Sequence, residues 1–161
     1  MKKLSVLIVF IIFSNFAFGA NDIVDGWETD LEQAKEDANR LKKPIMLFLH
    51  SVSCFYCPKV IEQVLPNPDL AKYLKNNFVR LELDTSTGSD SIESDVTDQA
   101  PPRFIVSITP AYIFMGPNEE KLARNGKKHM IVYGFWDVND TKKWAQEALK
   151  RFKTLYGDKY K

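Results

Sequence analysis

The chain has 161 residues, with 22 Lys and Arg against 21 Asp and Glu and a formal net charge of +1 at pH 7. A near-neutral balance with acids and bases interspersed excludes a basic nucleic-acid surface and a strongly acidic one. Two cysteines in the whole chain exclude a disulfide-rich scaffold.

At the start, Lys2 and Lys3 precede the apolar run Leu4 to Phe13, which only Ser5 interrupts. Small residues Ala17, Gly19 and Ala20 follow, ahead of polar Asn21 and Asp22. That is the layout of a secretory signal peptide. Cleavage is expected after Gly19, with Ala17 at the minus-three position, or else after Ala20. The competing reading is an uncleaved anchor, for which the run is short of the ~20 apolar residues of a membrane span. Loss of Lys2 and Lys3 leaves 20 basic against 21 acidic residues. Residues 20–161 remain, roughly 140, enough for a single domain with one sizeable core. Export also changes the meaning of the cysteines, because thiols outside the cytosol can form lasting disulfides.

Asp30 can cap a helix through about Lys42, with Leu31, Ala34, Ala38 and Leu41 on one face and Pro44 beyond its end. "IMLFLH", residues 45 to 50, is an apolar run without polar alternation, which predicts a central strand covered on both faces. After the cysteine segment, Val60, Ile61, Val64 and Leu65 form a helical stripe that Pro66 and Pro68 should break. Asp69 should then open a short helix with Leu70, Tyr73 and Leu74 inward. "FVRLELD", 78 to 84, alternates and reads as a strand. Residues 85 to 102 are polar, acidic and turn-rich, a long surface loop. Acids between Asp84 and Asp98 lack the spacing of an EF-hand calcium loop. Strands are expected at about Ala111 to Met115 and at 129 to 134. Asp140 should cap a last helix that buries Trp144, Ala148, Leu149 and Phe152. The order predicts an α/β domain, a mixed sheet with helices on both faces. Trp27, Trp136 and Trp144 fit core or rim packing. Met115 and Met130 fit core filling better than soft copper ligation.

The chemistry concentrates in "HSVSCFYCPKVIEQVL", residues 50 to 65, which holds both cysteines, Cys54 and Cys57. A haem anchor needs His directly after the second cysteine, where this chain has Pro58. A tetrahedral metal site needs about four ligands, and His50 and His129 are the only histidines. Zinc or copper(I) held by the two cysteines and one further ligand stays open, as does a structural disulfide. A four-residue ring constrains the unfolded chain little, however. The remaining reading is a redox couple. A cysteine at a helix N-terminus meets unsatisfied N–H groups and the positive end of the dipole, which favour a thiolate. Such placement can bring a cysteine pKa from ~8.5 to anywhere in ~3.5–7.5. Cys54 would then attack and Cys57, one turn inward, would resolve.

The stretch "KPIMLFLHSVSCFYCPKVIEQVLPNPDLAKYLKNNFVRLELD", with "TPAYIF" downstream, resembles the thioredoxin superfamily. Exported thioredoxin-like proteins of the SoxW or DsbD C-terminal-domain kind are the nearest likeness, over about Trp27 to Tyr156. The resemblance implies a thioredoxin fold and thiol–disulfide exchange on protein cysteines, with Cys54 and Cys57 catalytic and no organic cofactor. It implies a cis Thr109–Pro110 bond, with Thr109 and Pro110 holding a substrate strand by backbone pairing. Phe55 and Tyr56 lie between the cysteines and should be exposed, adding apolar contact for a protein partner. The chain departs from cytosolic thioredoxin at several positions. Phe55-Tyr56 stands for Gly-Pro, Ser53 for tryptophan and Glu62 for the helix-kinking proline. Phe48 occupies the position of the buried Asp that assists proton transfer. Glu62 and His50 are therefore the candidates for that proton transfer. The likeness also implies the periplasm of a Gram-negative bacterium, a reductase role fed by a membrane donor of the DsbD or CcdA type, and, with no dimerisation segment visible, a monomer. A disulfide oxidase and a non-enzymatic copper or zinc carrier are the alternatives.

Overall fold

The computed structural model describes residues 24–86, 108–118, 122 and 130–157. The leader with its cleavage site, most of the 85–102 loop and His129 lie outside the described residues.

Helix α1, Leu31–Leu41, begins where the Asp30 carboxylate accepts the Gln33 N–H at 2.8 Å. It buries Leu31, Ala34 and Ala38, whereas Leu41, expected on the same face, is 44% exposed. It is the last residue of the helix, which Lys42 ends in a left-handed conformation. Strand β1, Ile45–His50, is buried at every residue. Helix α2, Cys57–Lys59, runs directly into a π-helical segment, Val60–Val64, closed by the Leu65 N–H donating to the Val60 carbonyl at 3.0 Å. The stripe of Val60, Val64 and Leu65 is buried as the spacing predicts.

Pro68 does not break a helix but opens one. Helix α3, Pro68–Asn77, carries it in the first turn, where a missing N–H costs nothing. Its cap is Asn67 rather than Asp69; the Asn67 side chain accepts from both the Asp69 and Leu70 N–H groups. Strand β2 is Val79–Asp84, β3 is Ala111–Met115 and β4 is Ile131–Tyr133. Helix α4, Val138–Tyr156, starts three residues earlier than expected, because Asp137 takes the capping role and accepts the Asp140 N–H at 2.8 Å. Its buried stripe is Thr141, Ala145, Ala148 and Phe152. Trp144 and Leu149 are half-buried against the core rather than within it.

The sheet order is β2-β1-β3-β4. β1 pairs parallel with β2 and antiparallel with β3, and β3 pairs antiparallel with β4. Central β1 therefore presents both faces to cover, which is why it reads as continuous apolar sequence. Ile45, Leu47 and Leu49 face α1, together with Leu81 and Ile113. Met46 and Phe48 face the other side, packed with Val60, Val64, Leu70, Leu74, Ala148 and Phe152 from the π-helical segment, α3 and α4. Trp27 joins this second face at 5% exposure, and Met115 and Met130 are core residues.

One element of the alternation in β2 fails. Glu82, expected on a solvated face, is 2% exposed. It pairs in register with Phe48 of β1, so it shares the face that the helices cover.

Candidate active site

The two cysteines lie between the C-terminal end of β1 and the start of α2. Beyond His50 the chain leaves the sheet in two consecutive turns. The Cys54 N–H donates to the Ser51 carbonyl at 3.1 Å, and the Cys57 N–H to the Cys54 carbonyl at 3.3 Å. These turns bring the Cα atoms of Cys54 and Cys57 to 5.4 Å, and the two sulfurs are joined as a disulfide.

Cys54 does not itself open the helix, as the spacing suggests it should. α2 begins at Cys57, with Tyr56 at its cap position. The turn ahead of it folds back, and the Cys57 N–H lies 3.1 Å from Cys54 Sγ. The first amide of the helix is therefore aimed at the outer sulfur, where a thiolate would sit after reduction. Cys54 is 8% exposed and Cys57 is 2% exposed, so the first sulfur is the one that solvent reaches.

Phe55 and Tyr56 project from the turn, at 86% and 49% exposure. Their rings meet edge to face at 5.1 Å, and Tyr56 lies 6.1 Å from Phe135, whose ring also carries Lys59 Nζ at 4.5 Å. Phe135 follows β4 and was not legible as part of the site, since only the sheet order brings β4 to this end of the molecule. Val52 and Ile108, 87% and 58% exposed, extend the apolar rim.

The Thr109–Pro110 bond is cis. Thr109 Oγ1 shares a hydrogen bond with Ser51 Oγ at 3.0 Å, tying the Thr-Pro corner to the loop that carries Cys54. Gly134, held at φ +90°, donates its N–H to the Pro110 carbonyl at 2.8 Å and so fixes the far side of the corner.

The proton-transfer candidates separate. Glu62 is exposed on the π-helical segment. His50 is buried at the end of β1, stacked on Phe48 at 5.5 Å between ring centroids. Glu82 lies beside it, with Oε2 3.9 Å from His50 Nε2. Sequence reasoning missed Glu82, although one signal pointed to it: a strand beside an all-apolar β1 must also be covered on both faces at the same level.

Burial holds the His50 pKa below its ordinary 6.5, against the opposing charge of Asp84. Unfolding returns the imidazole to water, where it takes a proton near that ordinary value. The stability linked to His50 is complete above about pH 6.5 and is lost as pH falls from there toward the lowered folded value. Urea melts taken between about pH 7.5 and 5 should show this loss, and His50→Gln should flatten it. An unchanged slope in the variant would assign the acid sensitivity to other groups.

The thioredoxin-like family model matches residues 26–117, more than half of the chain. The chain belongs to the thioredoxin-like family. A search of curated protein sequences finds no significant match. Among solved structures, a thioredoxin from Thermus thermophilus superposes with a TM-score of 0.58 at 20% identity, covering 80% of this chain and 91% of that one. The oxidised C-terminal domain of DsbD from Neisseria meningitidis gives a TM-score of 0.54 at 11% identity, covering 76% of this chain and 98% of that one. An oxidoreductase named DsbH gives 0.51 at 23% identity, covering 77% and 83%. These likenesses establish a thioredoxin-like α/β fold. Among the described residues, no three His, Cys, Asp or Glu side chains cluster as metal ligands, and no helix is long and apolar enough to cross a membrane.

Proposed function

We propose that this thioredoxin-like protein is an exported thiol:disulfide oxidoreductase that exchanges electrons with protein cysteines through Cys54 and Cys57. The observation that carries this reading is the joined sulfur pair, with the first helical amide aimed at Cys54 Sγ and the Thr109–Pro110 corner tied alongside. In the reducing direction the Cys54 thiolate attacks a substrate disulfide and forms a mixed disulfide. Cys57 then attacks Cys54 Sγ, releasing the substrate thiol and closing the intramolecular disulfide. No organic cofactor enters. Thr109 and Pro110 align an extended substrate segment through backbone groups, and Phe55 and Tyr56 add apolar contact.

The signal-peptide layout of residues 1–19 supports export to a periplasm. In that oxidising compartment a reductant needs electrons from a membrane donor, and the likeness to the DsbD domain favours a donor of the DsbD or CcdA type. The protein acts as a monomer in this scheme.

Insulin reduction by the mature protein, purified without chelator and assayed for metal and free thiols, tests the proposal. Turnover with the thiol pair intact supports exchange. Tight stoichiometric metal without turnover would replace it with metal carriage. Equilibration with glutathione then sets the direction: a potential near about −270 mV marks a reductant and one near about −120 mV an oxidant.

The rim makes a separate prediction. Phe55→Ser should lower kcat/KM on a protein disulfide roughly tenfold, the equivalent of about 1.4 kcal/mol of transition-state binding. The effect on a small disulfide should be much weaker, because that substrate does not reach across the rim. An equal loss on both would show that Phe55 shapes the sulfur pair and does not contact a partner.

A further inference from the structure

The β1–β3 ladder stops just short of the sulfur pair. Its facing residues run from Ile45 and Met115 to Leu49 and Ala111. Extended by one step, this register sets His50 opposite Pro110, which has no N–H to donate. The Pro110 carbonyl already accepts the Gly134 N–H. One step further, the register sets Ser51 opposite Thr109, and there a side-chain bond takes over from the main chain. Ser51 Oγ lies 3.0 Å from Thr109 Oγ1 and 3.3 Å from Ser53 Oγ. Polar groups also hold this loop toward β2. Thr85 donates its N–H and its hydroxyl to the His50 carbonyl, at 2.8 and 3.0 Å, and Ser86 Oγ accepts the Val52 N–H. Apolar packing does little here, since Val52 is 87% exposed and Ser53 is exposed as well. Toward β3 the link is Ser51, whose carbonyl also accepts the Cys54 N–H. One residue thus joins the turn of the attacking cysteine to the corner that receives a substrate chain.

We infer that Ser51 is a positioning residue for the exchange reaction, an inference that rests on the exchange reading above. Its hydroxyl bond to Thr109 fixes the gap between Cys54 and the Thr109 main chain. It thereby favours disulfides carried on an extended chain over small ones. A chain-borne disulfide must meet two points at once, its main chain at Thr109 and its sulfur at Cys54. With the gap set beforehand, the second contact follows from the first without a further ordering cost. A small disulfide meets Cys54 alone and gains nothing from the link. Pro110 has no donor and its carbonyl is occupied by Gly134, so the spacing that counts is the one to Thr109. Ser51 itself touches no reacting atom and acts only through the two segments it joins.

The test mixes the reduced protein with an excess of either of two disulfides under single-turnover conditions. One is a linear peptide whose cysteine carries a mixed disulfide with glutathione, and the other is hydroxyethyl disulfide. The readout is the ratio of the two second-order rate constants, peptide over small disulfide. Ser51→Ala should lower that ratio about tenfold, as misplacement of a bound chain does. The loss should appear in the half-saturating peptide concentration and not in the limiting rate. Ser51→Thr keeps the hydroxyl and should restore the ratio. Thr109→Val should lower the ratio as Ser51→Ala does. The double variant should fall no further, because each change removes the same bond. An unchanged ratio in Ser51→Ala, whether both rates hold or both fall together, overturns the inference. Additive losses in the double variant overturn it as well. Should Ser51→Ala fail to fold, Thr109→Val carries the same test, and an unchanged ratio there overturns the inference. If the wild-type protein reacts with neither disulfide, the exchange reading fails and the positioning role fails with it. If it reacts with both and the variants keep the ratio, the positioning role alone fails.

Discussion

Cys54→Ser should bring disulfide-exchange turnover down to the uncatalysed background, while Cys57→Ser should halt the reaction at an isolable mixed disulfide. The asymmetry follows from placement. Cys54 is the sulfur that solvent reaches, and the first amide of α2 points at it. A hydroxyl there does not ionise near neutral pH and offers no nucleophile, so the first step is lost. Cys57 is covered and acts only on a sulfur already carried by its neighbour. Its loss leaves the first step intact and removes the second, so protein and substrate stay covalently joined until an external thiol releases them. Non-reducing electrophoresis after incubation with a disulfide-containing protein would show this species in Cys57→Ser and not in Cys54→Ser. Trapping by Cys54→Ser instead would reverse the assignment of attacker and resolver. Equal turnover in both variants would remove the pair from the chemistry altogether.

The largest effect on stability is expected at Phe48. It stands at the centre of β1 with 0% exposure. Its ring lies 6.4 Å from that of Trp27 and 5.5 Å from those of both Tyr112 and His50. Phe48→Ala removes the ring from a site walled by two neighbouring strands and a helical layer, which cannot close over the void. A cost of ~3–5 kcal/mol is expected, a large share of the ~5–15 kcal/mol that holds a typical domain. The melting temperature should fall by roughly 10 °C, with an unchanged urea m-value. Phe55→Ala is the control. The same ring is removed at a position 86% exposed, and stability should move by no more than about 0.5 kcal/mol. A loss below about 1 kcal/mol at Phe48 would mean that the core repacks freely around His50 and Glu82.

Much of this architecture was legible in the residues. The unbroken apolar run of β1 predicted a central strand, and it lies between β2 and β3. The Asp30 cap and the Leu31, Ala34 and Ala38 stripe held, because local capping and helical period do not depend on distant chain. Two of the errors are local competitions between neighbouring capping candidates. Asn67 outcompeted Asp69, and Asp137 outcompeted Asp140, each a cap chosen by where the chain enters the helix. Pro68, read as a breaker, opens α3 instead, because a proline in the first helical turn gives up no intrahelical hydrogen bond.

The sequence alone determined the chemistry on offer. It supplied two cysteines at a spacing that lets their sulfurs meet, two aromatics between them that no turn could bury, and a Thr-Pro ahead of a later strand. These are short-range properties, written in adjacent residues. Tertiary structure alone decided which groups surround that chemistry. Glu82 is separated from His50 by 32 positions in the chain, and only parallel pairing of β2 with β1 carries it to the covered face. Phe135 reaches Tyr56 only because β4 lies at the far side of β3. A strand's alternation tells which side chains share a face, but not whether that face meets water. That depends on what packs above it, and for β2 the answer is a layer of helices that no residue of β2 encodes.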